Sequence, residues 1–283
     1  MVIVVLKPGK SGDDPAHYRP ISLLSCLFKT FERMILNRIE DIIDQNIVQG
    51  GFRRDLSCCD QVLALTTMIE SGFQRMEKTA VAFVDLTAAF DTVWRHGLLL
   101  KFSKIIPCRR LVFLLENMLS NRRYQVFLGQ DKSRWRTLND GLAQGSVLSP
   151  KLFNLYVSDL PQTASSKIQF ADDLALVFQG RGFQECENSL SLDLNTVNKY
   201  FKDWRLKANP DKTETCVFHL NNRESQHTLN VKMGDSMIKH NANPKYLGVT
   251  LDRSLTFKPH LEILSKKVRT RVNLLNQLCS TTW

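Results

Sequence analysis

No stretch of this 283-residue chain approaches the roughly 20 consecutive apolar residues that a membrane-spanning helix needs. The N-terminus also lacks the pattern of a signal peptide, so an intracellular, soluble protein with no membrane partner is expected. Paired cysteine motifs are missing: of seven cysteines, Cys58 and Cys59 are adjacent and none stands in Cys-x-x-Cys spacing, which argues against a zinc site or a disulfide framework. There is no internal repeat and no low-complexity linker, as expected of one interleaved unit. Negative charge is in deficit, with 28 acidic against 38 basic residues and a formal charge of +10. That balance favours a polyanionic partner, because neutralising phosphates releases counterions; on charge alone an anionic membrane surface would serve equally. At 43% hydrophobic, the chain can bury one large core or two smaller ones.

Against this background Phe170-Ala171-Asp172-Asp173 stands out, two adjacent carboxylates between the apolar runs Ile168 to Ala171 and Leu174 to Phe178. The pattern predicts a β-hairpin with acids at its tip. Such a pair can simply be a solvated turn. It can also hold a cation, because carboxylates kept close together repel unless something positive sits between them. A third acid, Asp85, follows the apolar run Ala80 to Val84, where a buried strand would emerge. Asp85 with Asp172 or Asp173 would supply the oxygen ligands of two magnesium-type ions, which in phosphoryl transfer lie about 3.5–4 Å apart.

Other segments carry local signals. Val2 to Leu6 and the turn-rich Lys7 to Gly12 precede a helix-period stretch with Leu24, Leu27, Phe28, Phe31, Ile35, Ile39 and Ile42 on a core-seeking face. Tyr124 to Leu128 and Arg134 to Leu138 flank Gly129 to Ser133 as a hairpin. Gly141 and Gly145 permit an open turn, after which Ser149 and Pro150 read as N-cap and first residue of a helix. Leu190, Leu194, Val197, Phe201 and Trp204 mark a long helix covering the sheet, ending at Asn209-Pro210 before a strand from Cys216 to Leu220. Leu261, Leu264, Val268, Leu274, Leu275 and Leu278 suggest further helices, with Lys266, Lys267, Arg269 and Arg271 near an exposed face.

Seven blocks in order resemble the reverse transcriptases of non-LTR (LINE-type, jockey-like) retrotransposons. They are Tyr18-Arg-Pro-Ile-Ser-Leu-Leu24, Gln49-Gly-Gly-Phe-Arg53, Asp85-Leu-x-x-Ala-Phe90-Asp91, Gly141 to Pro150, Phe170 to Asp173, Asn209-Pro-Asp-Lys212-Thr213 and Tyr246-Leu-Gly-Val-x-Leu-Asp252. The resemblance implies an α+β right-hand polymerase: fingers over 1–79, palm over 80–106, a fingers insertion over 107–139, palm again over 140–242, then the primer-grip region and a partial thumb over 243–283. The palm would be a split βαβ unit with helices on one face. The implied activity is RNA-directed DNA synthesis from dNTPs, with an RNA template, a DNA primer and the RNA–DNA hybrid as partners, and action in the nucleus.

By the same resemblance, Asp85, Asp172 and Asp173 would hold two Mg2+ ions, for which Mn2+ could substitute. Lys212 would protonate the departing pyrophosphate, Arg53 would bind the triphosphate, Phe90 would exclude a 2′-hydroxyl, and Gln144 with Gly145 would meet the incoming nucleotide and templating base. Asp91 reads as structural. Three departures stand out: Asp55 lies where relatives commonly have glycine followed by a basic residue, Phe170 replaces the commoner Tyr, and Ala143 replaces a frequent Pro. An acid at Asp55 should repel a triphosphate. No endonuclease is expected before Met1 and no RNase H after the thumb, which looks unfinished at Trp283. Two rivals therefore remain: an inactive nucleic-acid-binding remnant and a template-independent transferase or nucleotidyl cyclase.

Overall fold

The computed structural model describes residues 1–46, 49–53 and 55–279. Strand β1 (Val2–Leu6) pairs antiparallel with β2 (Tyr18–Ser22), so that the turn-rich Lys7 to His17 projects between them. Helices α1 (Cys26–Asn46) and α2 (Cys58–Gln74) lead to the seven-residue β3 (Lys78–Val84). Then come α3 (Arg95–Ile105) and α4 (Arg109–Leu119), followed by four short strands, β4 (Arg122–Tyr124), β5 (Val126–Leu128), β6 (Asp131–Lys132) and β7 (Arg136–Leu138). The expected hairpin is there in two parts: β4 pairs with β7 and β5 with β6, while β5 also runs parallel to β1.

The second half holds α5 (Ser149–Tyr156), the hairpin β8 (Ser166–Phe170) and β9 (Asp173–Gly180), α6 (Phe183–Asp203) and β10 (Glu214–Phe218). It continues through the short β11 (Lys232–Met233), β12 (Ser236–Met237), β13 (Lys239–His240), β14 (Lys245–Tyr246) and β15 (Val249–Thr250) to α7 (Lys258–Cys279). The central sheet has the order β13-β10-β3-β9-β8, with β3 antiparallel to both β9 and β10. Reading β3, α5, β8, β9, α6 and β10 along the chain gives the split βαβ arrangement expected from the motifs.

The two faces of this sheet bury different cores, because successive residues of β3 point to opposite sides. Ala80, Ala82 and Val84 join Leu174, Leu176 and Val217 beneath α6, in a core that also holds Phe153, Leu190, Leu194, Val197 and Phe201. Val81, Ala175, Val177, Cys216 and Phe218 face the other way, onto Leu65 and Ile69 of α2 and onto Tyr246 and Leu251. Helices α3, α5 and α6 all pack in the first core, on one face as expected of the split βαβ unit, and the second face is covered from outside that unit by α2 and the Tyr246 to Leu251 segment. Alternate residues of β3 and β9 are apolar on both sides, as befits a strand covered twice.

Several local expectations also move. The buried face of α1 carries Ile35, Leu36, Ile39 and Ile43 together with Glu32, whereas Leu27 and Phe31 are exposed. The α5 helix begins at Ser149, but Ser149 is not its cap: Ser146 Oγ accepts from the amides of Leu148 and Ser149, each at 3.2 Å. Helix α6 stops at Asp203, six residues before Asn209, and Arg205 turns the chain with φ +55°. The run Lys245 to Asp252, strand-like in sequence, is broken into a hairpin, since Leu247 and Gly248 both have positive φ, the requirement of a tight type I′ connection. The basic helix predicted near the C-terminus is α7, while Trp283 lies outside the described residues. Among the described residues no helix is long and apolar enough to cross a membrane.

Candidate active site

The acids meet at one end of the central sheet. The register that sets Val84 opposite Leu174 carries Asp85 to the position facing Asp173, and Phe170 pairs with Asp173 across a two-residue turn of Ala171 and Asp172. Ala171 takes φ +56°, an uncommon conformation for alanine that neighbouring structure has to hold. The brace is the loop after α1. Gln49 Nε2 donates to the Ala171 carbonyl at 3.1 Å, and the Gly50 amide donates to the Gln169 carbonyl at 2.9 Å. Asn154 of α5 in turn donates to the Gly51 carbonyl at 2.5 Å. A β-carbon on Gly51 would lie 2.3 Å from the Ala171 nitrogen, so glycine is required there by backbone contact.

A second brace fixes Asp85. The Asn209 amide donates to the Asp85 carbonyl at 2.9 Å, and the Asp85 amide donates to Thr213 Oγ1 at 3.4 Å. Thr213 Oγ1 donates back to the Asn209 carbonyl at 2.8 Å, closing the Asn209 to Thr213 turn against the strand end. That turn brings Lys212 Nζ to 4.0 Å from Asp85 Oδ2, with both side chains open to solvent. At such exposure the ion pair adds little stability; its consequence is placement of a cation beside the acids.

The charges are unevenly compensated. Burial and then the neighbouring carboxylates Asp172 and Asp85 push Asp173 up to about 6, although its tip reaches solvent. Asp85 is also raised, chiefly by burial, with Lys212 opposing and Asp172 adding to the shift. Crowded carboxylates that stay raised despite Lys212 and Lys7 nearby have the chemistry of a cation site. Among the described residues no three His, Cys, Asp or Glu side chains converge on a single ion position. Mg2+ does not require such a cage, since it is commonly held by one or two carboxylates together with water and substrate phosphates. The donor set at Asp85, Asp172 and Asp173 thus fits ions completed by a substrate.

Asp85 and Asp172 open onto a cleft of about 900 Å³ also lined by Phe90, Asp91, Gln144, Gly145 and Lys212, while Asp173 adjoins it without being one of its lining residues. Phe90 stacks on Phe153 with ring centroids 4.6 Å apart and meets Phe52 edge-on at 6.2 Å, so the ring is held firmly at the cleft floor. Its carbonyl accepts from the Leu142 amide at 2.8 Å, which ties the Phe90 turn to the Gln144 loop. Gln144 Nε2 lies 3.3 and 3.4 Å from the two carboxylate oxygens of Asp91. Asp91, raised chiefly by burial, is therefore a cleft residue in contact with Gln144, a placement hidden from strand parity because the chain leaves β3 at Val84 and turns at Ala88. Gly145 has φ +109°, and a β-carbon there would lie 2.7 Å from the Ser22 carbonyl oxygen.

Two cleft cations were not singled out from sequence. Lys7 and Arg19, at the ends of the β1–β2 pair, line the same cavity, and Lys7 acts on the charges of both Asp85 and Asp91. Arg19 stands in the Tyr18 to Leu24 block, opposite Val5 in the β1–β2 register, and Lys7 directly follows β1. Arg53 is placed otherwise: it follows the loop that braces the acid hairpin and is not among the residues lining the cleft. Arg54 lies outside the described residues. Asp55 adopts φ +61°, the left-handed conformation that glycine takes without strain.

Comparison with known proteins agrees with this geometry. A family model described as "Reverse transcriptase (RNA-dependent DNA polymerase)" matches residues 5–251. A probable RNA-directed DNA polymerase from transposon BS of Drosophila melanogaster is 35% identical, over 98% of this chain and 32% of that protein. The RNA-directed DNA polymerase from mobile element jockey of Drosophila funebris is 32% identical, over 98% of this chain and 31% of its own length. The chain thus spans about a third of the curated relatives it matches. Among solved structures, a telomerase from Candida tropicalis in complex with a fragment of telomeric RNA superposes with TM-score 0.50 at 10% identity, covering 82% of this chain and 36% of that one. This likeness concerns the fold alone, which is that of a right-hand polymerase. The chain belongs to the reverse transcriptase (RNA-dependent DNA polymerase) family, on its non-LTR, jockey-like branch.

Proposed function

We propose that this chain extends a DNA primer on an RNA template, transferring a nucleotidyl group from a dNTP to the primer 3′-hydroxyl. The observation that carries the reading is the meeting of Asp85 with the Asp172–Asp173 turn at the mouth of a cleft that also presents Lys7, Arg19, Gln144 and Lys212. In this reading residues 1–79 and 107–139 are the fingers, 80–106 and 140–242 the palm, and 243–283 the primer-grip region with part of the thumb. Asp85, Asp172 and Asp173 would hold two Mg2+ ions. When bound, such ions polarise the phosphoryl group and favour the attacking and leaving oxygens.

The side chains then divide the remaining work. Lys7 and Arg19, which line the cleft, would join Arg53 in binding the triphosphate, and guanidinium suits bidentate phosphate contact. Phe90, pinned between Phe52 and Phe153, presents a fixed wall where a ribose 2′-hydroxyl would press. Lys212, beside Asp85, is positioned to give a proton to the leaving pyrophosphate. Positioning and charge are most of what phosphoryl transfer asks of a protein.

Extension of oligo(dT) on poly(rA) with dTTP and Mg2+, beside reactions lacking template, tests the assignment. Template-dependent extension is expected. Incorporation without template would favour a transferase, and duplex binding with no incorporation would favour a remnant that only binds nucleic acid.

A further inference from the structure

The buried face of α1 contains a carboxylate, Glu32, only 2% exposed, one turn before the buried Ile35 and Leu36. Its two oxygens are both used by one loop, 114 and 115 residues later: Oε1 accepts from Ser146 Oγ at 2.5 Å and Oε2 accepts from the Val147 amide at 2.9 Å. Ser146 cannot be replaced in this arrangement by a partner of other polarity. Its single proton goes to Glu32, while its lone pairs face the amides of Leu148 and Ser149 at the start of α5. Arg122 lies near enough for Glu32 to support its charge against burial. Glu32 is thus paired and bonded as a buried anion must be.

The loop so held is the cleft wall. Ser146 lines the cavity beside Gly145 and Gln144, whereas Glu32 does not. On its other side the loop is fixed by the Ser22 amide, which donates to the Gln144 carbonyl at 2.7 Å, leaving Gly145 suspended between two anchors. One anchor belongs to β2, which also carries Arg19; the other is Glu32. We infer that Glu32 is a positioning residue for nucleotide binding, setting the Gln144–Gly145 segment through Ser146 and Val147 without touching the substrate. The inference rests on the polymerase reading above.

Glutamine at position 32 keeps the volume but cannot keep the bonds. With its oxygen toward Val147, its NH2 confronts a serine hydroxyl whose lone pairs are occupied; reversed, the NH2 confronts the Val147 amide, donor against donor. Glu32→Gln is expected to raise the KM for dTTP roughly tenfold or more. The dissociation constant for poly(rA)·oligo(dT), read by anisotropy, should stay within about twofold because α1's outer surface is unaltered. Ser146→Ala, a smaller perturbation, should move KM in the same direction, and the double variant should lose less than the sum of the two. Should Glu32→Gln fail to fold, Ser146→Ala with Glu32→Asp gives the same readout. An active wild type whose folded Glu32 and Ser146 variants keep the wild-type KM, or lose template affinity in equal measure, would overturn the inference. A wild type that extends no primer would overturn the polymerase reading, and this inference with it.

Discussion

Gly51→Ala is the substitution on which the architecture of the site turns. The added methyl carbon would stand 2.3 Å from the Ala171 nitrogen, 3.0 Å from its Cα and 3.1 Å from the Phe170 carbonyl carbon. All three are backbone atoms of the acid hairpin, so no side chain can swing away. Relief to an ordinary contact requires the loop and the turn to part by roughly 1 Å, in a region where Gln49, Gly50 and Asn154 already fix both partners. Overpacking of this kind costs about 1–3 kcal/mol, which for a chain of this size lowers Tm by very roughly 2–10 °C. Catalysis should suffer more than stability, because a displacement near 1 Å at reacting groups can cost about 100-fold in rate. The assay pairs thermal unfolding with single-turnover extension at 15 °C, where the variant remains folded. Gly182→Ala is the control, since nothing lies within 4 Å of its added carbon. A Gly51→Ala protein with wild-type Tm and rate would refute the claim that this loop seats the acids.

Phe90→Ala should admit ribonucleotides, seen as a rise in rUTP over dTTP incorporation on poly(rA); unchanged discrimination would remove the ring from that role. His219 is 3% exposed with neither ring nitrogen bonded, and burial, then Arg253, lower its pKa. The unfolded chain therefore takes up the proton first, near 6.5, so stability holds above that pH and declines as pH falls toward the lowered folded value. His219→Leu should flatten that decline between about pH 6.5 and 5 in denaturant titrations, with the similarly lowered His240 still adding to it and the raised Asp173 acting in the opposite sense. Asp193→Ala should destabilise by about 2 kcal/mol, because Asp193 accepts from the Ala164 amide and from both the amide and hydroxyl of buried Ser165; an unchanged denaturation midpoint would contradict this.

Short-range pattern was a good guide wherever one residue's partner lay nearby in sequence. Alternation and turn chemistry foretold β3, the β8–β9 hairpin and the apolar stripe of α6, and the acids' meeting followed from strand register once β3 and β9 paired. The failures share one cause. The buried face of α1 was misjudged because Glu32 reads as solvent-facing until Ser146 and Val147, more than a hundred residues away, satisfy it. The reason for Gly51 is the Ala171 backbone, which nothing near it in sequence announces. The contact of Asp91 with Gln144 was hidden because strand parity says nothing of where the Ala88 turn sends the chain. That α2 covers the second face of the sheet was not legible, because its apolar face does not declare which surface it will meet.

The central claim is that Asp85 and the Asp172–Asp173 turn form one working site. Its most direct test is single-nucleotide incorporation of dTTP on poly(rA)·oligo(dT) by the wild type, Asp85→Asn and the double variant Asp172→Asn/Asp173→Asn, at matched primer–template binding. Incorporation should fall to background in both variants while binding of the primer–template persists. Incorporation by either variant at the wild-type rate would contradict the claim.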